Sequence, residues 1–119
     1  MEKCACKGSF LDRLLQPTIL MLLYRKPLHG FSILKEMEKS GIMDYSGIDP
    51  TGLYRTLKKM DAAGLLASEW DMSDQPRRIY KITEDGKDCL KHWKSTLTDY
   101  KKSIGNLINA ISAVLDETK

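Results

Sequence analysis

The chain has 119 residues, of which 42% are hydrophobic and 29% charged, and its formal net charge is +3. That length supports one hydrophobic core with at most one appended element, and the composition is that of an ordinary globular chain, not a disordered or fibrous one. The charge is mild, so affinity for an anionic partner must come from where the basic residues cluster and not from their total.

Residues 1–9 read as a polar arm without periodicity, and Met1 to Gly8 lacks the apolar core of a signal peptide. Three cysteines, Cys4, Cys6 and Cys89, are an odd number and do not suggest a disulfide framework. The densest apolar run, Ile19 to Leu23, is far short of the ~20 residues that span a bilayer. A cytoplasmic protein without a membrane partner is expected.

From Phe10 to Tyr24, Leu11, Leu14, Leu15, Thr18, Ile19 and Leu22 recur at helical spacing. Pro17 removes a backbone donor, so it is expected to interrupt this helix and to start its main body. Lys26-Pro27-Leu28 reads as a turn. A second helix follows from Gly30 to Ser40, with Phe31, Leu34 and Met37 inward, Lys35, Glu36, Glu38 and Lys39 outward, and Gly41 as C-cap. In the connection that follows, Tyr45 and Ile48 are expected to dip into the core. His29 is expected to cap or pack against the second helix.

The third helix has the sharpest start signal in the chain, Asp49 as N-cap and Pro50 at the first helical position. At about 100° per residue, Leu53, Leu57 and Met60 fall in one narrow sector while Thr51, Arg55 and Lys58 lie opposite, flanked by Tyr54 and Lys59. A helix that packs on one side and presents hydroxyls and cations on the other suits the major groove of DNA. Leu65 to Trp70, a polar turn from Asp71 to Pro76, and Arg77 to Thr83 then read as a two-stranded basic wing.

Within this unit Arg55 is the leading base reader, because a guanidinium pairs bidentately with guanine. Lys58 and Lys59 suit bases or phosphates. Thr51 and the backbone at Gly52 lie at a helix start, where amides and the dipole favour a phosphate. Tyr54 is either a groove contact or a packed aromatic. Arg77 and Arg78, beside the turn that Pro76 restricts, suit phosphate or minor-groove contacts.

The last segment reads as one helix from about Glu84 to Asp116, with Thr83 as N-cap and Glu84 and Asp85 favouring its dipole. Along it Leu90, Trp93, Leu97, Tyr100, Ile104, Leu107, Ile111 and Val114 alternate at spacings of three and four. Such a heptad seam needs a partner surface, and a second copy of the same helix in a C2 dimer is the simplest one. The fold class is therefore mainly α with a small β-wing (α+β), divided as a flexible arm 1–9, a winged helix-turn-helix domain 10–83 and a dimerisation helix 84–119.

His29-Gly30-Phe31, Gly52-Leu53-Tyr54 with Leu57, Gly64-Leu65-Leu66, Trp70 and the run Arg77 to Gly86 together resemble the PadR family of bacterial transcriptional regulators. The resemblance covers about residues 14–90 and implies a homodimeric repressor whose operator binding is relieved by a small molecule. The short C-terminal part resembles the family's single-helix subgroup. Arg55 stands where many members have proline, which marks it as a specificity determinant, and Asp74-Gln75-Pro76 replaces a turn that often carries glycine.

Several residues fall outside that pattern. Cys4 and Cys6 form a Cys-x-Cys pair that suits a soft metal or a redox-sensitive thiol pair, and they are the candidates for a metal- or thiol-responsive variant of the same repressor. Cys89 reads as a small packed residue, and His92 as a solvated or interface residue; no spacing among these residues makes a metal motif. Trp70 and Trp93 are candidates for lining a pocket for an apolar or aromatic effector. Two histidines in unrelated segments and the lack of a phosphate-binding or dinucleotide loop exclude the common enzyme signatures, so neither an enzyme nor a cofactor is expected. Three functions follow: a DNA-binding repressor on a pseudo-palindromic site, a metal- or thiol-sensing version of it, and a winged-helix module that binds protein instead of DNA.

Overall fold

Hydrophobic periodicity and caps decide most of the architecture. The structure, a computed structural model, describes residues 9–45 and 47–117, with side chains from Leu14 onward. The order is α1 (Ser9–Arg25), β1 (Leu28–His29), α2 (Gly30–Ser40), α3 (Pro50–Ala62), β2 (Leu66–Asp71), β3 (Arg77–Ile82) and α4 (Glu84–Glu117). The strands form an antiparallel sheet in the order β1-β3-β2. Leu15, Ile19, Leu20 and Leu23 of α1, Ile33 and Met37 of α2, and Leu53, Leu57 and Met60 of α3 make the core with Tyr45, Leu66 and Tyr80. The long α4 makes the molecule elongated, 64 × 31 × 23 Å. Among the described residues, no helix is long and apolar enough to cross a membrane.

The ends of α3 are fixed by local chemistry. The Asp49 carboxylate accepts the Thr51 amide at 3.1 Å, and Pro50 opens the helix where a missing donor is harmless. At the other end Gly64, at φ +81°, lets the Leu65 amide reach Met60 O and its own amide reach Asp61 O, a Schellman closure. The chain then turns directly into β2.

The start of α4 is seated on that same corner. Thr83 caps it, its hydroxyl oxygen accepting the Gly86 amide at 3.0 Å while its hydrogen faces the carbonyls of Gly64 and Leu65. A Cβ at Gly86 would collide with Leu65 O and stand 2.7 Å from Ile82 Cγ1. Only glycine lets the helix lie this close to the backbone.

Four expectations are corrected. First, α1 runs unbroken through Pro17. Pro17 and its neighbours Thr18, Ile19 and Leu20 are all buried, and that packing outweighs the ~3 kcal/mol penalty of a helix-interior proline. The Thr18 hydroxyl donates to Leu14 O at 2.8 Å in the same turn.

Second, α2 is rotated from its expected phase. Gly30, Ile33 and Met37 are its buried residues, whereas Phe31 is 56% exposed with the Lys35 ammonium 4.8 Å from its ring centre. Third, the expected turn Lys26-Pro27-Leu28 gives way to a strand at Leu28: Leu28 and His29 pair with Tyr80 and Ile79 of β3, so the sheet has three strands instead of two. Fourth, His29 occupies the N-cap position of α2 as expected, but its side chain makes no cap bond and bonds to Asp71 instead. Cys4 and Cys6 lie outside the described residues.

Candidate nucleic-acid interface

The third helix divides as its sequence demands. Leu53, Leu57 and Met60 are buried, and Thr51, Arg55, Lys58 and Lys59 are exposed on the other side. Arg55, Lys58 and Lys59 make no ion pair with any described residue. Three uncompensated cations within five positions of one helix form a compact positive stripe, the charge arrangement that attracts phosphates. Arg55 also borders a small hollow of about 220 Å³ with Ile48, Asp49, Gly52 and Thr56.

At the start of the helix the Thr51 amide is already taken by the Asp49 carboxylate, which places a negative charge where a phosphate would have sat. Thr51 can contribute its exposed hydroxyl, but its amide is engaged. Gly52 has no crowding that requires glycine: a Cβ there would meet nothing nearer than Asp49 Cβ at 3.9 Å. Tyr54 is at once exposed and packed. It is 45% exposed, yet its Cε1 atom lies 2.6 Å from where a Cβ on Gly30 would stand. The ring rests on the first turn of α2 and ties the two helices of the motif together.

The wing places its two arginines on opposite faces. In the β2/β3 ladder Trp70 faces Arg78 and Asp71 faces Arg77, and neighbouring residues of a strand alternate sides. Arg78 shares the inner face with Ser68, Trp70 and the buried Tyr80. Its guanidinium lies 5.4 Å from the Trp70 ring centre, and its Nε donates to Ser68 Oγ at 3.0 Å. Ser68 Oγ in turn donates to the Asp61 carboxylate on α3. Burial raises the Tyr80 phenol above its ordinary value, so it stays neutral on this face.

On the outer face, His29 Nε2 meets Asp71 Oδ2 at 2.8 Å. The Asp71 carboxyl is held at about 2, below its ordinary value of 3.8, first by the Ser73 hydroxyl, next by the Ser73 amide and then by His29. Because Asp71 is committed to these partners, Arg77 remains exposed and without an ion pair among the described residues. Sequence reasoning had named neither Asp61, Ser68 nor the His29–Asp71 pair. Alternation along two strands would place Ser68 beside Arg78 only once the hairpin register is known, and the six-residue strands fix that register through their turn.

Along α4, Leu90, Trp93 and Leu97 are half-buried against the rest of the chain, while Tyr100, Ile104, Leu107, Ile111 and Val114 are exposed. Between α1 and α4 lies an open, largely apolar cavity of about 740 Å³, walled by Pro17, Met21, Tyr24, Leu90, Trp93 and Leu97 among others. Trp93 thus lines a cavity, whereas Trp70 does not; it stands 60% exposed on the wing. Cys89 packs against the core and His92 is exposed. No group of three or more potential metal ligands occurs among the described residues.

Three helices, a flanking three-stranded sheet and an exposed basic face on the third helix define a winged helix-turn-helix protein. The family model for the Transcriptional regulator PadR-like family matches residues 19–92. The chain therefore belongs to the PadR-like family of transcriptional regulators, a family of regulators and not of enzymes. It is 30% identical to transcriptional regulator Rv3488 of Mycobacterium tuberculosis over 78 residues, 65% of this chain and 69% of that protein. It superposes on a transcriptional regulator from Clostridium thermocellum with a TM-score of 0.75 at 25% identity, covering 84% of this chain and 96% of the other. A PadR family transcriptional regulator from Eggerthella lenta matches with a TM-score of 0.69 at 27% identity, over 83% and 81% of the two chains.

Proposed function

We propose that this regulator is a cytoplasmic, homodimeric repressor that binds a pseudo-palindromic operator and is released by a small apolar or aromatic effector. The observation that carries the DNA reading is the outer face of α3, where Arg55, Lys58 and Lys59 stand exposed with no acidic partner among the described residues, opposite a fully buried apolar face. Arg55 reads bases, Lys58 and Lys59 bind bases or phosphates, and the Thr51 hydroxyl and the Tyr54 edge border the groove. Arg77 supplies a phosphate contact from the wing.

The exposed seam of α4 supports the dimer. Ile104, Leu107, Ile108, Ile111, Val114 and Leu115 give its second half a wider apolar face than one protomer covers. A second copy laid along it would bury that face and also close the cavity beside Trp93. An effector admitted there alters the packing between the two copies. That packing sets the distance between two recognition helices that must enter successive major grooves about 34 Å apart.

Capture of genomic DNA by the purified protein, with sequencing of the fragments, tests this reading. Fragments sharing an inverted repeat are expected, and Arg55→Ala should recover them roughly tenfold less efficiently or worse. Failure to enrich any repeat, or equal recovery by Arg55→Ala and Arg77→Ala, would leave a protein-interaction module as the function.

A further inference from the structure

We infer that Arg78 is a positioning residue for the wing: a relay from Asp61 through the Ser68 hydroxyl to Arg78 fixes the angle between the wing and the recognition helix, so that Arg77 meets a phosphate at a set distance. The inference rests on the DNA reading above for its functional consequence, but the relay itself belongs to the free protein.

The hydroxyl of Ser68 accepts from a cation, Arg78 Nε at 3.0 Å, and donates to an anion, the Asp61 carboxylate. Both bonds run in the same sense, and charge assistance strengthens each of them. Asp61 lies in the last turn of α3, where the helix dipole disfavours a negative charge. A carboxylate in that place needs a compensating partner, and Ser68 with Arg78 behind it provides one.

A cation–π contact with Trp70, 5.4 Å from the guanidinium carbon to the ring centre, helps to hold Arg78 on this face of the hairpin. The outer face is tied separately: His29, the end of β1 and the N-cap position of α2, holds Asp71 at the end of β2. The hairpin is thus braced from α3 on one face and from α2 on the other. Both side chains are exposed, but they divide the labour: Arg78 is engaged by the brace, and Arg77 makes no ion pair among the described residues.

Four variants separate this role from a direct phosphate contact: Ser68→Ala, Ser68→Thr, Arg78→Lys and Arg77→Ala. Each is measured for affinity and salt slope on a captured operator fragment, and by NMR for backbone order of residues 72–77 in the free protein. Ser68→Ala removes no charge, yet it should weaken binding roughly fivefold to tenfold and loosen the wing; Ser68→Thr, which keeps a hydroxyl, should restore both. Arg78→Lys keeps the charge but lacks Nε, and should behave like Ser68→Ala. Ser68→Ala should add little to Arg77→Ala, because both act through the same contact.

The inference is overturned if Ser68→Ala matches the native protein in affinity and wing order. It is equally overturned if Arg78→Lys binds normally while Arg78→Ala lowers the salt slope by about one, the mark of a phosphate ligand. If Ser68→Ala does not fold, Asp61→Asn removes the anionic end of the relay and carries the same expectations. A loosened wing in Ser68→Ala together with normal DNA recovery by Arg55→Ala and Arg77→Ala would sustain the brace and sink the DNA reading instead.

Discussion

The third and fourth helices carry equally regular apolar stripes, but only one of them finds its cover within the chain. Leu53, Leu57 and Met60 of α3 are buried under α1, α2 and β2. In α4 only Gly86 is buried, Leu90, Trp93 and Leu97 are half covered, and the stripe beyond them is open. The difference teaches that an amphipathic pattern shows that a helix has a face to bury, not which surface buries it. For α3 the cover is fixed by short connections to its neighbours. For α4, a 34-residue helix beside a small domain, the domain ends before the stripe does.

The comparison breaks most visibly if α4 is made polar. Leu107→Asp with Ile111→Asp should convert a dimer into monomers by sedimentation and lower operator affinity about 10²-fold to 10⁴-fold through lost bivalency, while the α3 domain stays folded. A double variant that remains dimeric would show that the open stripe is not the interface.

In α3 the expected effect is on folding. Leu57→Ala should lower unfolding free energy by about 2–5 kcal/mol in urea, the range for a fully buried leucine. Ile111→Ala, compared in diluted monomer, should fall within about 0.5 kcal/mol of the native protein, as exposed positions do.

Gly86 joins the two regions. Gly86→Ala forces a methyl group against Leu65 O and Ile82, and should cost about 1–3 kcal/mol or more while shifting α4 on its seat. A variant with unchanged thermal midpoint would mean that the helix start has room that its contacts deny.

The smallest effect concerns the wing. The folded-state value of Asp71, about 2, lies below its ordinary 3.8, so its bonds contribute stability that is complete above about pH 3.8 and lost as pH falls towards 2. Ser73→Ala removes the largest cause and should raise the Asp71 midpoint in an NMR titration. An unchanged midpoint would assign the effect to the Ser73 amide and His29.

Much of this was legible before any fold was known. Asp49-Pro50 announced the start of α3, Gly41 closed α2, and Thr83 with its two acids opened α4. The face of α3 was correct at every inward position, because a helix of this length with three large apolar residues in one sector has only one phase that buries them. The phase of α2 was less determined: Phe31, Ile33, Leu34 and Met37 allow two overlapping sectors, and the close approach of Tyr54 to Gly30 selected the one that leaves Phe31 outside. Leu28 and His29 are too short to announce a strand and become one only because β3 offers a free edge.

The sequence by itself determined the winged-helix class, the helix that presents Arg55, Lys58 and Lys59, and the length of the α4 seam, because periodicity and capping act over a few neighbouring residues. Only the tertiary structure decided that Pro17 stays helical, that His29 holds Asp71 from 42 positions away, and that Arg78 bonds Ser68, which in turn bonds Asp61, while Arg77 makes no ion pair among the described residues. These depend on strand register and on which surfaces meet, and no local pattern encodes a distance between segments that the fold has yet to bring together.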